Sequence, residues 1–481
     1  MGAESRGIVV NWPPLMPARM FGTAGIRGVT NKDITPELAL KIAVAAGDWM
    51  AERKGSRASA AVGHDTRYGA EVLARAAASG LASAGVDVQF YGCVPTGVIA
   101  LNLERSKQDG GILVTGSHLP PDRIGIIFLM PDGSFAPYAV SDDLERRYHA
   151  LPGRTRKVRP EDIGRIDEVF HPYETYVSEV VNLVDTRAIR ARKFKILIDP
   201  ANGPGSYVAK ELFQWFGCEV EMLNYDPSPI PGRPSEPRAS TVTEASELVQ
   251  KFGCDLGLCL DVDADRALFL THEGRAVSED TIGSLFAASE LGAGDVCVTP
   301  VTSSGLIEVI CRERKARLEY CGVGQPNTAQ AIRELNAAYA YEESGKYYFP
   351  RDRIWTDGLY SGAKLLELLT DRAETLSNLV ARTPVFHQAK RTLRVEDPLR
   401  DPALAEVERL LKSELTEGRL RDVRLDGFKR VYDDNSWLLI RASATEPAIR
   451  VFSDASDSAR AESLVREGER VLLEALKRVA P

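Results

Sequence analysis

Ile112-Leu113-Val114-Thr115-Gly116-Ser117-His118-Leu119-Pro120 sets the reading of this chain. Three apolar residues make a short buried strand, and the strand stops at a loop carrying a hydroxyl. The prolines at 120 and 121 block ordinary helix continuation. A serine delivered to a strand end in this way can be a nucleophile or a phosphate carrier. Alone, a Ser-His pair in a loop is most simply a helix cap. The meaning of Ser117 comes from what surrounds it in the chain.

Outward from this loop, strand-like and helix-like segments alternate. Ala60 to Gly63 and Val86 to Phe90 are strand candidates; residues 70–84 and 97–106 are helix candidates. An earlier helix is expected to start at Thr35-Pro36, with threonine as cap and proline in the first turn. The rhythm restarts at Phe194 to Asp199, with a helix over 205–216 and a strand over 218–223. A Pro-rich loop from Asp226 to Pro237, a helix over 241–252 and a strand from Leu256 to Leu260 follow. A third restart begins after Glu279, with a helix to 291 and a strand from Asp295 to Thr299. This alternation predicts three similar α/β units with largely parallel sheets. The last hundred residues differ: strands at Val385 to Val395, Trp437 to Arg441 and Ala448 to Phe452, helices over 402–413 and 457–478. That pattern predicts a small α+β unit with an antiparallel sheet, beginning near Arg382-Thr383-Pro384.

Bulk properties agree with a soluble, multi-domain globular protein. At roughly 100–200 residues per domain, 481 residues suggest about three to four domains. The net charge of −8, with no dense Lys/Arg tract, disfavours a nucleic-acid partner. Seven scattered cysteines without a C-x-x-C pair favour a reducing compartment and argue against zinc. The apolar run Ile8-Val9-Val10 is too short for a signal peptide or membrane span, so a cytoplasmic protein with a loosely ordered first dozen residues is expected.

Four further stretches bear on chemistry. Asp261-Val262-Asp263-Ala264-Asp265-Arg266 follows the apolar strand Leu256 to Leu260. Three alternating carboxylates can converge at a strand end as hard oxygen ligands suited to Mg²⁺. An EF-hand is excluded, because Arg266 stands at position six and His272 at position twelve. Glu342-Glu343-Ser344-Gly345-Lys346 ends the strand Ala338 to Tyr341 and suits hydrogen bonds to sugar hydroxyls. Arg441-Ala442-Ser443-Ala444-Thr445-Glu446-Pro447, with Arg450 beyond, is by itself most simply a polar hairpin, but its two arginines and two hydroxyls around a tight turn can also cradle a phosphate. In Phe21-Gly22-Thr23-Ala24-Gly25-Ile26-Arg27-Gly28 the glycines allow close approach to a ligand and Arg27 can reach an anion; it is not a nucleotide P-loop.

Taken in chain order, these five elements, with Gly63-His64-Asp65-Thr66-Arg67 and Val323-Gly324, resemble the α-D-phosphohexomutase family from about Phe21 to the end. The resemblance implies an α/β fold of four domains around a central cleft, three similar α/β domains with mixed, mostly parallel sheets and a C-terminal α+β domain. The expected divisions are 1–165, 166–275, 276–382 and 383–481. It implies a Mg²⁺-dependent phosphohexomutase acting on mannose or glucose phosphates through a phosphoserine and a sugar 1,6-bisphosphate. Phosphoglucosamine mutase activity and a non-catalytic sugar-phosphate-binding role are the alternatives. By resemblance Ser117 carries the phosphoryl group and, with Asp261, Asp263 and Asp265, holds the metal. Glu342 and Ser344 contact the sugar; Arg441, Ser443, Thr445 and Arg450 grip the distal phosphate; Arg27 and Arg266 steady the active-site charge. The implied partner is a hexose phosphate, with no nucleic acid or membrane, and the implied assembly a monomer or homodimer.

The chain departs from the family pattern at several positions. Gly116 replaces Ala, Leu119 replaces Asn, and Ile127 stands where a lysine is usual. Lys346 replaces a common His, and Gln325-Pro326 follows Val323-Gly324 in place of a basic residue. Proton transfer is therefore expected from Lys346 or His118.

Overall fold

The computed structural model describes residues 20–22, 24–153, 158–413, 419–443 and 447–479, so the first dozen residues lie outside it. The opening helix follows its local signals. Thr35 Oγ1 accepts from Leu38 N at 3.2 Å, Pro36 fills the first turn, and Gly55 closes helix Pro36–Lys54 in the left-handed conformation.

In the first unit β1 (Ile26–Val29), β2 (Ser59–His64), β3 (Asp87–Cys93), β4 (Gly111–Thr115), β5 (Arg123–Leu129) and β6 (Ile166–Glu168) form one sheet, ordered β1-β5-β4-β2-β3-β6. The second unit contains β7 (Lys195–Asp199), β8 (Glu219–Met222), β9 (Leu256–Leu260) and β10 (Ala267–Thr271), ordered β10-β9-β7-β8. The third contains β11 (Val296–Pro300), β12 (Arg317–Cys321), β13 (Tyr339–Glu342) and β14 (Lys346–Tyr348), ordered β12-β11-β13-β14. The three sheets share one plan. With the first unit's extra edge strands β1 and β6 set aside, a central first strand (β2, β7, β11) pairs in parallel with the second and third strands, and the third (β4, β9, β13) turns back into an antiparallel fourth. The turn from third to fourth strand carries Ser117 in the first unit, the aspartates in the second and Glu343 to Gly345 in the third. This repeated order bears out three similar units and makes their sheets mixed.

The fourth unit is antiparallel throughout. β15 (His387–Arg394), β16 (Arg419–Arg424), β17 (Phe428–Tyr432), β18 (Trp437–Ala442) and β19 (Ala448–Ala455) run in the order β15-β19-β18-β17-β16, beneath helices Asp397–Ser413 and Ser458–Val479. The first of these helices starts five residues before the expected 402 and contains Pro402. The sequence offers two Asp-Pro helix starts, and the chain uses the earlier, Asp397-Pro398. The helix expected over 205–216 is instead a 3₁₀ turn, Pro204–Tyr207, followed by helix Ala209–Trp215.

One apolar cluster runs through the first three units, from Val98 and Ile127 through Phe213 and Leu258 to Tyr341 and Leu366. The fourth unit has its own core around Val407, Leu438, Val451 and Leu472. It meets the third through a small patch of Val301, Val431, Trp437 and Leu439. No helix among the described residues is long and apolar enough to cross a membrane. All seven cysteines are free thiols, six of them buried.

Candidate active site

The end of β4 delivers Ser117 into a buried polar junction. Ser117 has φ +45, a left-handed backbone that a serine keeps only when its neighbours hold it. The hold comes from the first unit's other strand end. Asp65, just past β2, accepts Gly116 N at 2.8 Å, and Thr115 Oγ1 lies 2.9 Å from the same carboxylate oxygen. Arg67 then binds the carbonyls of Ser117 (2.7 Å), Leu119 (2.6 Å) and Pro120 with its planar fork. Both Asp65 and Arg67 are buried. The sequence had marked this stretch without giving it a task; its signal was an acid-and-arginine pair directly after a strand.

Ser117 Oγ lies 2.8 Å from Asp261 Oδ2, although 144 positions separate the two residues. Asp261, Asp263 and Asp265 are buried, and each offers an oxygen within 4.8 Å of the others. Burial and the Asp265 charge push the Asp261 carboxyl up to about 6. Burial and both neighbours push Asp263 further up. Burial acts in the same sense on Asp265, but Lys346 and Arg266 outweigh it and hold that carboxyl below its ordinary range. Asp263 Oδ1 and Asp265 Oδ1 have no hydrogen-bond partner. Two orphaned buried carboxylate oxygens in a crowded trio are the donor set a hard divalent cation requires. The residues therefore fit Mg²⁺.

Cations ring the trio. Arg266 gives its backbone N–H to Asp261 Oδ1 at 3.1 Å, and its guanidinium binds Glu236 at 2.7 Å and His118 Nδ1 at 3.0 Å. Burial opposes the Arg266 charge, but Asp261, Asp265 and Glu236 raise its pKa above the usual value. Because Arg266 donates to Nδ1, the His118 imidazole carries its proton on Nε2. Burial and the surrounding cations push its pKa far down, so it is neutral. Arg27, at the sheet edge on β1, donates to Ala24 O at 3.0 Å; burial and then Arg266 lower its pKa. Lys346 Nζ, on β14, and Gln325 Nε2 donate to the same oxygen, Asp265 Oδ2, at 2.9 and 2.7 Å. The Pro-rich loop 226–237, read from sequence only as a connection, contributes Ser235 to Arg67 and Glu236 to Arg266.

The third hairpin turn follows β13. Glu342 Oε1 accepts from Tyr348 OH at 2.6 Å and Thr328 Oγ1 at 3.1 Å, and burial raises its pKa. Ser344 stands half-buried on the same turn. Gly345 is required there: it has φ +79, and a Cβ would meet Ala267 O at 2.8 Å. Its carbonyl accepts Ala267 N at 2.9 Å, tying this turn to the aspartate hairpin.

The remaining candidate residues lie on the fourth unit. Arg441 and Arg450 face each other across β18 and β19, and directly opposed like charges favour an anion between them. Arg441 Nη2 binds Asp426 Oδ2 at 2.8 Å, and that oxygen also accepts Val323 N at 3.2 Å. Ser443 is buried, with its carbonyl held by Arg400. Thr445 and Thr23 lie outside the described residues.

Four family descriptions match in succession: the phosphoglucomutase/phosphomannomutase α/β/α domains I, II and III over residues 18–153, 174–274 and 278–386, and the C-terminal domain over 392–470. The chain belongs to the phosphoglucomutase/phosphomannomutase family. It is 34% identical over 462 residues to a phosphoglucomutase/phosphomannomutase of Thermococcus kodakarensis, covering 95% of this chain and 99% of that one. It is 30% identical over 464 residues to a phosphoglucosamine/phosphogalactosamine mutase of Sulfurisphaera tokodaii, covering 94% and 99%. A crystal structure of a phosphoglucomutase/phosphomannomutase family protein from Burkholderia thailandensis superposes with a TM-score of 0.82 at 25% identity, over 97% of this chain and 99% of that one.

Two departures from the family pattern have physical causes. A Cβ at Gly116 would stand 2.1 Å from Arg67 Nε, so the Arg67 side chain fills the space an alanine would need. Ile127 is 2% exposed in the apolar cluster beside Leu113 and Phe135, where an ammonium would be desolvated. Lys346 Nζ reaches the same region from the third unit, 5.9 Å from the Phe135 ring centre.

Proposed function

We propose that this chain is a Mg²⁺-dependent phosphohexomutase that interconverts the 1- and 6-phosphates of glucose or mannose. The carrying observation is Ser117 Oγ set 2.8 Å from Asp261 in the buried trio. Asp261, Asp263 and Asp265, with phosphorylated Ser117, would hold the ion, which supplies charge neutralisation to the phosphoryl group. Ser117 carries that group between turnovers. A sugar hydroxyl attacks phosphorus as the Ser117 Oγ–P bond breaks, giving the 1,6-bisphosphate. After the sugar turns over, Ser117 Oγ attacks the other phosphate and the isomerised monophosphate leaves.

Arg27 and Arg266 face the negative charge on the transferring oxygens. Lys346 is the better-placed proton carrier: it reaches the trio directly, whereas the His118 Nδ1 lone pair is engaged by Arg266. Glu342 and Ser344 orient the sugar hydroxyls. Arg441, Ser443, Thr445 and Arg450 hold the distal phosphate, so that remote binding energy positions the reacting end. The free thiols fit a reducing, cytoplasmic setting.

A second reading is an amino-sugar phosphate substrate, supported by the Sulfurisphaera relative and by the buried Glu342 carboxylate, which could meet an amine. The test is turnover of glucose 1-phosphate, mannose 1-phosphate and glucosamine 1-phosphate, with trace sugar bisphosphate and Mg²⁺. The expected result is turnover with the highest kcat/KM on glucose or mannose phosphate. A preference for glucosamine phosphate selects the second reading; no turnover of any, with tight binding of all, selects a binding protein.

A further inference from the structure

The aspartate loop is strung between two helix N-termini that belong to neighbouring units. Thr96 N, at the start of helix Thr96–Arg105, donates to Asp263 O at 3.0 Å. Gly358 N, at the start of helix Gly358–Asp371, donates to Ala264 O at 2.8 Å. First-turn amides have no partner in their own helix, so each loop carbonyl satisfies one of them. Both helices also direct their positive ends at three crowded carboxylates. Ala264, between these attachments, has φ +57, a state alanine occupies only under constraint.

A single carboxylate joins the two helices. Asp357 caps helix Gly358–Asp371, its Oδ1 accepting Tyr360 N at 3.0 Å. Its Oδ2 accepts Tyr176 OH at 2.8 Å and lies 3.5 Å from Arg353 Nη1. It also backs onto the first turn of the other helix: a Cβ on Gly97 would stand 2.3 Å from Oδ2. Asp357 is 3% exposed and Tyr176 wholly buried. Residues of all three α/β units thus converge on one side chain, next in sequence to the amide that holds Ala264. None of the recognised motifs contains it.

We propose that Asp357 is a positioning residue for the metal loop: by locking the two helix N-termini against Asp263 and Ala264, it sets the affinity of the aspartate trio for a divalent cation. This rests on the reading of the trio as a cation site. Supports one layer behind metal ligands typically change affinity about 10–100-fold when removed, and that is the effect expected of Asp357→Ala.

The test is direct binding of Mn²⁺ to the full chain, followed by electron paramagnetic resonance, for wild type, Asp261→Asn, Asp357→Ala, Asp357→Asn and Tyr176→Phe. Wild type binds and Asp261→Asn does not. Asp357→Ala weakens binding tenfold or more; Asp357→Asn, which still caps the helix and accepts from Tyr176, recovers most of it. Tyr176→Phe removes one hydrogen bond at constant shape and weakens binding by a smaller factor. Kinetically, Asp357→Ala raises the Mg²⁺ needed for half-maximal rate and leaves KM for sugar phosphate unchanged. Lower melting temperatures with unchanged Mn²⁺ affinity in Asp357→Ala and Tyr176→Phe make Asp357 merely structural and overturn the proposal. If Asp357→Ala does not fold, Tyr176→Phe decides by the same criterion. If wild type shows no Asp261-dependent binding, the cation reading of the trio fails first and the proposal falls with it.

Discussion

The aspartate loop and the proposed phosphate clamp, built on Arg441 and Arg450, follow opposite plans. The loop lies inside the apolar cluster shared by three units, and backbone bonds from two of them fix it: Thr96 N to Asp263 O and Gly358 N to Ala264 O. The clamp stands on a unit with a separate core. That unit meets its neighbour through a small apolar patch and side-chain contacts, such as Lys429 Nζ to Val301 O at 2.8 Å and Asp454 Oδ1 to Gly305 N at 2.8 Å. The lesson is a separation of roles. The serine–aspartate end, where the proposed chemistry would occur, is fixed by many residues acting on backbone; the arginine end, proposed to take the second phosphate, rides on its own body.

Substitutions at the two ends should therefore fail in different ways. The largest effect is expected from Ser117→Ala, which takes mutase turnover to the assay floor while the melting temperature stays near wild type; residual turnover would remove the phosphoserine from the scheme. Next is Arg67→Met. It leaves the buried Asp65 without its cation and frees three loop carbonyls, and breaking a buried pair costs about 3–5 kcal/mol. Urea denaturation should reveal that loss together with a collapse of kcat.

Arg441→Ala should behave otherwise. A hydrogen bond to a charged group contributes about 1.5–3 kcal/mol, so KM for sugar phosphate should rise about ten- to a hundredfold, with stability nearly unchanged. An equal fall in kcat at saturating substrate would mean that the two ends are less separable than their construction indicates.

The smallest effect on turnover is expected at the seam of the fourth unit. Lys429 is wholly buried between the Tyr320 and Trp437 rings, and burial lowers its pKa to about 7. Its folded pKa lies below the unfolded value, so folding releases a proton between the two. Stability of wild type relative to Lys429→Met should rise as pH increases through about 7 toward 10. Asp454 and Asp280, both raised by burial to about 6, titrate below that window. Denaturation of the two proteins at stepped pH gives the slope directly.

Much of the site was legible because each reactive stretch follows a short apolar strand, and a strand that ends in acids, hydroxyls or Ser-Gly announces a loop at a sheet edge. The strands after those loops were not assigned. Residues 124–129 and 267–270 are continuous apolar runs buried on both faces, without the alternation that marks a half-exposed strand. Asp65, Arg67, Glu236 and Asp357 gained their roles only through tertiary distance. Arg67 reaches Ser235 across 168 positions, and Tyr176 reaches Asp357 across 181. No local pattern encodes such a pairing. The start of helix Asp397–Ser413 was misjudged because two Asp-Pro pairs compete and only packing chooses between them.

The repeated strand order gives three hairpin tips with the same address and three different sets of side chains. A change confined to one tip can alter the serine, the acid trio or the Glu-Ser turn and leave the other two unedited. Lys346, at the root of the third tip, shows how close the tips stand: its ammonium binds Asp265 of the second and lies 5.9 Å from the Phe135 ring centre of the first unit.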